Sequence, residues 1–200
     1  TMEAKRRLSV ALVCNSNVNR SVEAHRVLME KGFTSVCSYG VGSKIRLRGE
    51  TVETPNVYEF GTPYSILRKD LREKNEKLYA RVGLLDLLER DSKVKNEPER
   101  WQDSPRRDFD LIIAFENRAF DIVVKDYWRK NAFGCRPVHI VGWQVPDKFP
   151  EAQKAAQVTL SFVNALAAKK PGWNSEISLV LDNIFEKDLK IRVRHQLCFA

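Results

Sequence analysis

The sequence contains few of the residues on which metal centres and disulfide scaffolds are built. It includes three histidines and four cysteines among 200 residues. They form no two-histidine, EF-hand or Cys-x-x-Cys cluster. The cysteines also lack the spacing of a disulfide framework, which favours a reducing compartment. We therefore expect no metal and no other cofactor.

Long apolar runs are missing as well. No stretch approaches the roughly 18 apolar residues that a membrane-spanning helix requires, and we expect no secretory leader before the first apolar run. The chain has no internal repeat or low-complexity tract. With 43% hydrophobic and 30% charged residues, its 200 positions are enough for one sizeable core. We expect residues 1–200 to form a single domain that has no membrane partner.

Acidic residues are outnumbered, 26 against 34 basic ones, which gives a formal net charge of +8. Basic clusters lie at residues 5–7, 68–74 and 187–194. Such runs usually form solvated faces, and the alternatives are contacts with an acidic phosphopeptide, an acidic protein or RNA. No aromatic stacking motif is interleaved with the basic residues. Direct binding of nucleic acid is therefore not expected.

The most informative segment that is present is Cys14-Asn-Ser-Asn-Val-Asn-Arg20-Ser21. The apolar run at residues 8–13 predicts a buried parallel strand. Residues 21–32 have apolar positions three and four apart before a glycine, which predicts a helix. A Cys-x5-Arg pair often occurs by chance, but only Cys14 of the four cysteines has an arginine six positions later. Its strand-loop-helix context is the one that a phosphate-binding loop needs.

The five residues between Cys14 and Arg20 can curl around a phosphate and direct successive backbone N–H groups inward. The Arg20 guanidinium would then bind the anion with two parallel hydrogen bonds. Asparagine tolerates left-handed backbone conformations, so the three loop asparagines suit a contorted segment. The predicted phosphate-binding residues are Asn15, Ser16, Asn17, Val18, Asn19 and Ser21.

Cys14 is predicted to be the nucleophile. A helix N-terminus, the loop amides and Arg20 should favour the thiolate, lowering the thiol pKa from about 8.5 by roughly three units. The Ser21 hydroxyl can donate a hydrogen bond to the sulfur. Attack on a phosphate ester would give a phosphocysteine, which water then hydrolyses. The predicted activity is that of a cysteine-dependent phosphatase.

An alkyl phosphate also needs a general acid, because its leaving group is a basic alkoxide. Asp147 is the candidate, since it follows the apolar run at residues 138–143 and α/β sites gather beyond the carboxyl ends of strands. Its neighbours Pro146, Phe149 and Pro150 could desolvate it. Taken alone, Asp147 would be an ordinary loop or capping aspartate. Its assignment therefore depends on the Cys14 loop.

Several longer segments resemble a known family. Residues 13–25, 55–62, 98–103 and 137–139 look like the RNA polymerase II carboxy-terminal-domain phosphatases of the Ssu type, which are associated with the cleavage and polyadenylation machinery. The extension Asn17-Val-Asn-Arg-Ser-Val-Glu-Ala-His25 and the segment Pro55-Asn-Val-Tyr-Glu-Phe60 are more specific than the phosphatase loop itself. The resemblance covers nearly the whole chain.

The resemblance implies removal of phosphate from the fifth-position serine of the polymerase heptad repeat, or from the seventh. The serine-proline bond that follows would be held in the minor cis form. Cys14 would be the nucleophile, Arg20 the phosphate clamp and Asp147 the general acid. The implied partners are the phosphorylated C-terminal domain peptide and a symplekin-like scaffold, in the nucleus.

The chain departs from the family pattern at three positions. Gln144 stands where members commonly have an acidic residue three positions before the general acid, and Trp143 replaces a smaller side chain. The predicted peptide-contacting segment is Arg46-Leu47-Arg48, in which Arg48 replaces a proline. These departures leave open a weakly active or inactive paralogue that binds a phosphopeptide or a scaffold. A low-molecular-weight tyrosine phosphatase or an arsenate reductase is a more distant alternative.

The remaining pattern predicts an α/β fold with a central, mostly parallel sheet flanked by helices, similar to low-molecular-weight tyrosine phosphatases. Further strands are expected at residues 35–39, 110–115 and 138–143. A helical cap is expected within residues 44–108, because apolar residues recur at helical spacing through residues 64–97. Residues 176–190 predict a last helix and 194–199 a last strand. Cys37, Cys135 and Cys198 are predicted to be small buried apolar residues, with a regulatory disulfide to Cys14 as the alternative.

Overall fold

Seven strands and six α-helices make up the part of the chain that the computed structural model describes, residues 8–51, 53–104, 108–130, 135–169, 173–185 and 191–200. In chain order they are β1 (Val10–Cys14), α1 (Arg20–Glu30), β2 (Val36–Gly40), β3 (Ile45–Leu47), β4 (Asn56–Tyr58), α2 (Tyr64–Arg81), α3 (Leu84–Val94), β5 (Leu111–Ala114), α4 (Asn117–Lys130), β6 (Pro137–Gly142), α5 (Phe149–Ala168), α6 (Trp173–Phe185) and β7 (Arg194–Phe199). One 3₁₀ turn, Trp101–Asp103, lies between α3 and β5.

A five-stranded sheet with the order β2-β1-β5-β6-β7 forms the centre of the molecule. Strands β2, β1, β5 and β6 run parallel to one another, and β7 pairs antiparallel with β6. The predicted α/β fold with a mostly parallel sheet is therefore confirmed. Because parallel strands end at the same edge, β1, β5 and β6 deliver the segments that follow them to one end of the sheet.

Both faces of the sheet are covered. Along β1, Leu12 and Cys14 lie in one hydrophobic cluster with residues of α1, α5 and α6, whereas Ala11 and Val13 lie in a second cluster with residues of α4. All residues of β1 are fully buried. This is why the sequence shows an unbroken apolar run instead of an alternating one.

The region predicted as a cap contains more than helices. Its helices α2 and α3 are preceded by a two-stranded antiparallel sheet, β3 with β4, which the sequence pattern did not predict. A third hydrophobic cluster joins this region to the Cys14 loop and to the start of α1. It contains Val18 of the loop and Val22 of α1 together with residues of the cap, among them Ile45, Leu67 and Leu88. Burial of each such aliphatic side chain contributes about 1.5–3 kcal/mol, so the cap is packed firmly on the Cys14 loop.

Helix α2 is interrupted at Asn75, whose φ of −163° and ψ of 81° are not helical. The Asn75 side-chain oxygen accepts a hydrogen bond from the backbone N–H of Leu78 at 3.1 Å. An asparagine that bonds the amide three residues later acts as an N-cap, and it starts the second half of the helix. The predicted helical spacing of residues 64–97 is thus realised as a kinked helix followed by α3.

The element boundaries differ from the predicted ones by a few residues. The first strand runs from Val10 to Cys14 instead of over residues 8–13. The last helix begins at Trp173, three residues before the predicted start, and is described as far as Phe185. The predicted helical residues 186–190 and the basic residues 5–7 lie outside the described residues. No helix of the described part is long and apolar enough to span a bilayer.

The cysteines other than Cys14 do not share one environment. Cys198 is buried, Cys37 is half-buried and Cys135 is exposed. The prediction of a small buried side chain is therefore right for Cys198 and wrong for Cys135. Cys135 precedes β6 instead of lying in it, so the sheet does not cover it.

Candidate active site at the carboxyl end of the sheet

The segment from Cys14 to Arg20 is a tight loop between a strand and a helix. Cys14 is the last residue of β1 and Arg20 is the first residue of α1. Asn17 and Asn19 have positive φ values of 52° and 71°, and among the described residues they are the only such positions that are not glycine. Side chains other than asparagine and aspartate adopt this region at a cost. The asparagines at these two positions allow the sharp change of direction.

The loop is closely supported by the segment that follows β2. The backbone N–H of Val41 donates to the carbonyl of Cys14, and the N–H of Gly42 donates to the carbonyl of Asn15, at 3.0 Å and 2.9 Å. A Cβ atom at Gly40 would lie 2.8 Å from the Asn15 carbonyl oxygen. Glycine at position 40 is therefore what lets the backbone approach the loop.

Cys14 is completely buried, and its Sγ lies 3.1 Å from the Ser21 hydroxyl. Burial raises the pKa of the Cys14 thiol above its ordinary value, while the Arg20 charge and the Ser21 hydroxyl act in the opposite direction. Burial is the larger influence. The sequence, in contrast, predicts a lowered pKa for this thiol. That prediction identified the two stabilising groups but underestimated the cost of desolvating the sulfur.

Arg20 is 4% exposed, and four oxygen atoms lie near its guanidinium. It donates to the backbone carbonyl of Val145 at 2.9 Å and, more weakly, to that of Phe115 at 3.5 Å. Its second terminal nitrogen contacts Glu116 at 3.2 Å and Asp147 at 3.4 Å. The Nε–H is buried and has no hydrogen-bond partner among the described residues. The guanidinium is thus rigidly held and still has a donor available for an anion.

Asp147 lies beyond the end of β6 and is 55% exposed. Its Oδ1 accepts a hydrogen bond from Asn19 Nδ2 at 2.8 Å, and its Oδ2 faces Arg20. The structure therefore brings this carboxyl group, which is distant in sequence, against the loop. The segment after β6 meets the Cys14 loop here because β1, β5 and β6 end at the same edge of the sheet.

A polar network lies beneath the loop. Asn17 Nδ2 donates to the Ser21 hydroxyl oxygen at 3.1 Å, and Asn17 Oδ1 accepts from the backbone N–H of Glu99 at 2.9 Å and from Lys95 Nζ at 3.2 Å. The Tyr64 hydroxyl donates to the Asn17 carbonyl at 2.6 Å. Asn17 is fully buried, so these contacts fix both its backbone and its amide.

The other end of the loop rests on α3. Asp91 is fully buried and accepts a hydrogen bond from the backbone N–H of Asn19 at 3.3 Å. Burial raises the pKa of Asp91 to about 6, although its neighbour Arg90 favours the charged form. Arg90 also contacts Glu23 of α1 at 3.1 Å. Residues of the cap thus hold the loop at both of its asparagines with positive φ.

A groove of about 370 Å³ opens beside the loop. Three segments that the sequence pattern indicated separately line it: the Cys14 loop, β3 with Arg48, and residues 147–150. Helix α3 forms a further wall. The lining residues are Ser16, Val18, Asn19, Arg46, Leu47, Arg48, Val82, Gly83, Leu84, Leu87, Asp147, Lys148, Phe149 and Pro150. All three predicted peptide-contacting residues, Arg46, Leu47 and Arg48, are among them.

Two of the three departures from the family pattern lie away from this groove. Trp143 is 2% exposed and packs edge-on against Phe115, with ring centroids 5.6 Å apart. Gln144 accepts a hydrogen bond from the backbone N–H of Asn117 at 3.2 Å, at the start of α4. Neither residue lines the groove, whereas Arg48 does. The substitutions at 143 and 144 therefore contribute to packing and to a helix start.

Several residues of the site were not predicted from the sequence. Glu116 lies two residues after the end of β5, and the rule that sites gather at strand ends could have indicated it. Lys95, Glu99 and Asp91 follow or belong to α3, and nothing in their local sequence shows that they contact the loop. Among the described residues, no group of three or more His, Cys, Asp or Glu side chains is arranged to hold a metal ion.

Comparison with known proteins gives a consistent result. The family model described as Ssu72-like protein matches residues 8–200. The RNA polymerase II C-terminal domain phosphatase SSU72 of Homo sapiens is 38% identical over 192 residues, which cover 96% of this chain and 97% of the human protein.

Solved structures agree with the sequence match. The serine phosphatase of the RNA polymerase II CTD from Drosophila melanogaster superposes with a TM-score of 0.90 at 37% identity, covering 97% of this chain and 100% of the other. A second structure contains D. melanogaster Ssu72 and Symplekin with a cis peptidomimetic CTD peptide phosphorylated on its fifth-position serine. It superposes with a TM-score of 0.88 at 35% identity, covering 98% of this chain and 100% of that chain.

Proposed function

The chain belongs to the Ssu72-like protein family, and on that premise we propose that it is a cysteine-dependent serine phosphatase acting on the RNA polymerase II C-terminal domain. Its substrate is a phosphoserine-proline site, with the phosphate at the fifth heptad position or the seventh. The observation that carries the proposal is the convergence of Cys14, Arg20 and Asp147 at the loop of residues 14–20, beside the groove that Asp147 lines. Relatives that bear this activity in their names match almost the whole chain.

In the first step, Cys14 Sγ attacks the phosphorus atom. The S–P bond forms as the P–O bond to the serine breaks, and a phosphocysteine results. The backbone amides of residues 15–18 and the Arg20 guanidinium bind the equatorial phosphate oxygens, where charge is spread in the transition state. The unpartnered Arg20 Nε–H supports this role, because it supplies a donor for which the described residues offer no acceptor.

Asp147 protonates the serine oxygen as it leaves. In the second step the same carboxylate accepts a proton from water, which attacks phosphorus, breaks the S–P bond and releases phosphate. The 2.8 Å bond from Asn19 keeps Asp147 beside the loop, and its 55% exposure leaves it accessible to a substrate and to water. Starting from the Cys14 thiolate and a protonated Asp147, these side chains and water account for every proton and bond in the two steps.

The thiolate that attacks must form against the cost of burial. Because burial raises the pKa of Cys14, the fraction of thiolate near neutral pH depends on the groups that face the sulfur, namely Arg20 and the Ser21 hydroxyl. A hydrogen bond donated to a charged group is worth about 1.5–3 kcal/mol, which corresponds to one or two pKa units. The orientation of the Ser21 hydroxyl is therefore important for activity.

The proposed partners follow from the same family membership. They are the phosphorylated C-terminal domain peptide, which the groove would bind, and a symplekin-like scaffold, which is present with the Drosophila relative. Such a substrate implies a nuclear location. The basic lining residues Arg46 and Arg48 suit an acidic, phosphorylated peptide.

The test uses heptad phosphopeptides carrying one phosphoserine, at position five or at position seven. Wild-type protein should release phosphate from at least one peptide, and Cys14→Ser should lower that rate by a factor on the order of 10⁴ or more. Acid quenching during turnover should trap a phosphoprotein in wild type and none in Cys14→Ser. Tight binding of the peptides without turnover by wild type would overturn the proposal and favour a binding module.

A further inference from the structure

Lys95 is a fully bonded, partly buried cation near the active site, although it lies outside the groove. Only 12% of its side chain is exposed, and all three of its ammonium hydrogens have an acceptor. These are Asn17 Oδ1 at 3.2 Å, the Ser38 carbonyl at 2.9 Å and the Glu99 carboxylate. Lys95 follows α3 directly, so it links the cap, strand β2 and the Cys14 loop at one point.

The contacts of Asn17 determine the orientation of its side-chain amide. The backbone N–H of Glu99 and the ammonium of Lys95 can only donate hydrogen bonds. The Asn17 atom that faces both of them must therefore be the carbonyl oxygen, Oδ1. The NH₂ group then faces the Ser21 hydroxyl at 3.1 Å and donates to it. Two independent donors thus set the same orientation.

This orientation settles the role of Ser21. A hydroxyl has one hydrogen to donate, and the Asn17 NH₂ group cannot accept it. The other partner of Ser21 Oγ is Cys14 Sγ at 3.1 Å. The hydroxyl hydrogen is consequently directed to the sulfur. A hydrogen bond donated to sulfur stabilises the thiolate relative to the thiol.

From these contacts we propose that Lys95 is a positioning residue for the nucleophile, acting through Asn17 and Ser21 on Cys14. Its ammonium holds the Asn17 amide in the orientation that makes the Ser21 hydroxyl a donor to the sulfur. Lys95 does not touch the substrate in this scheme. The inference deepens the proposed function, because it rests on Cys14 as the nucleophile and explains what keeps that nucleophile reactive in a buried site.

The backbone N–H of Glu99 makes the same contact and cannot be removed by a side-chain substitution. Loss of Lys95 therefore weakens the orientation of Asn17 without abolishing it. Lys95→Met removes the ammonium but keeps an apolar stem of similar length, whereas Lys95→Arg keeps the charge and the donors. Lys93→Met is the matched control, since Lys93 is exposed in the last turn of α3 and pairs there with Glu89.

The primary measurement is the rate at which iodoacetamide alkylates Cys14 as a function of pH, because only the thiolate reacts and no phosphatase activity is required. We expect Lys95→Met to react about 10-fold more slowly near neutral pH, with its midpoint shifted upward. Lys95→Arg should recover most of the rate and Lys93→Met all of it. Phosphopeptide hydrolysis should show the same order through kcat, with KM little changed.

Other titratable groups lie near Lys95, so the pH profiles of the variants are compared with one another and not with the curve of a single titrating group. These groups are Glu97 and Glu99 of its own segment, Cys37 and Tyr39 of β2, and His25 of α1. All of them are retained in every variant of position 95. A shift that appears in Lys95→Met and not in Lys95→Arg therefore belongs to the positive charge and the hydrogen-bond donors at position 95.

A second variant covers the case in which Lys95→Met does not fold. Asn17→Asp keeps the acceptor for Lys95 and Glu99 and tolerates the left-handed backbone, but it has no NH₂ group to donate to Ser21. It should remain folded and alkylate more slowly than wild type. Alkylation profiles of Lys95→Met or Asn17→Asp that coincide with wild type would overturn the proposal. A wild type whose Cys14 alkylates normally, but which does not hydrolyse phosphopeptides, would instead contradict the proposed function.

Discussion

Asn19 Nδ2 and Asp147 Oδ1 are joined by a 2.8 Å hydrogen bond across 128 positions of the chain. Asn19 has a φ of 71°, and its own backbone N–H is bound by Asp91 of the cap. One asparagine with a positive φ therefore connects the phosphate loop, the proposed general acid and α3. The position of the acid is set by the same loop that would bind the phosphate, so substitutions in one should affect the other.

The Asp147→Asn variant tests the general acid. Its carboxamide oxygen can still accept from Asn19, but it cannot supply a proton, so hydrolysis of a phosphoserine peptide should fall by about 10²–10⁴-fold. An aryl phosphate has a good leaving group and should lose far less. Initial rates with both substrates, measured under identical conditions, give the comparison. Equal losses on the two substrates would contradict the role assigned to Asp147.

Arg48 is the one departure from the family pattern that lines the groove, and its side chain is exposed. Exposed charge pairs contribute about 0.2–1 kcal/mol, so Arg48→Gln should raise KM for an acidic phosphopeptide by up to about fivefold and leave kcat unchanged. The difference should shrink as salt is added. Lys69→Gln, on an exposed part of α2, is the control for a general loss of positive charge. A large change in kcat would show that Arg48 affects more than peptide attraction.

Much of this site was predictable because its signals are local. Cys14 and Arg20 are separated by one short loop between a strand and a helix, so their spacing already implies their proximity. Asp147 was predictable less directly, because parallel strands end at the same edge of a sheet and Asp147 follows one of them. Lys95 and Asp91 were not, since both reach the loop only through the packing of α3 on α1. The short strands β3 and β4 were also missed, because three-residue strands leave too little alternation to detect.

The pKa of Cys14 shows a second limit of the sequence. The groups that favour the thiolate, Arg20 and Ser21, are visible in the motif, but the depth of burial is not. Burial depends on how the cap and the helices close over β1, and in this fold it is the larger influence. A motif can therefore identify the reactive atom without giving its protonation state.

His25 should make the fold sensitive to acid. It is buried and hydrogen-bonded to Ser38 at 3.0 Å, and burial, with the nearby Lys95 charge, lowers its pKa to about 4. The unfolded chain binds this proton near pH 6.5, so between about pH 6.5 and 4 the unfolded state gains protons that the folded state does not. Stability should be fully present above this window and fall by up to about 3 kcal/mol as the pH drops through it.

Urea unfolding at several pH values measures this effect. His25→Gln keeps a side chain that can bond Ser38 but does not titrate, so its unfolding free energy should decline less than that of wild type between about pH 6.5 and 4. His139 has a pKa lowered to about 4 as well, and it remains in the variant. Part of the acid sensitivity should therefore persist. Identical pH profiles for wild type and His25→Gln would rule out His25 as a source.

Asp91 should produce a dependence of the opposite sign. Its carboxyl is fully buried, and its folded pKa of about 6 lies above the unfolded value of roughly 3.9, so between these values the folded state binds more protons. Its contribution to stability is therefore lost as the pH rises from about 4 to 6. Asp91→Asn removes this proton but keeps an oxygen that can accept from the Asn19 N–H. The free energy of unfolding of Asp91→Asn should therefore rise relative to that of wild type, by up to about 3 kcal/mol from about pH 4 to 6. If the difference between the two proteins does not change with pH, Asp91 is ionised in the folded state over this whole range.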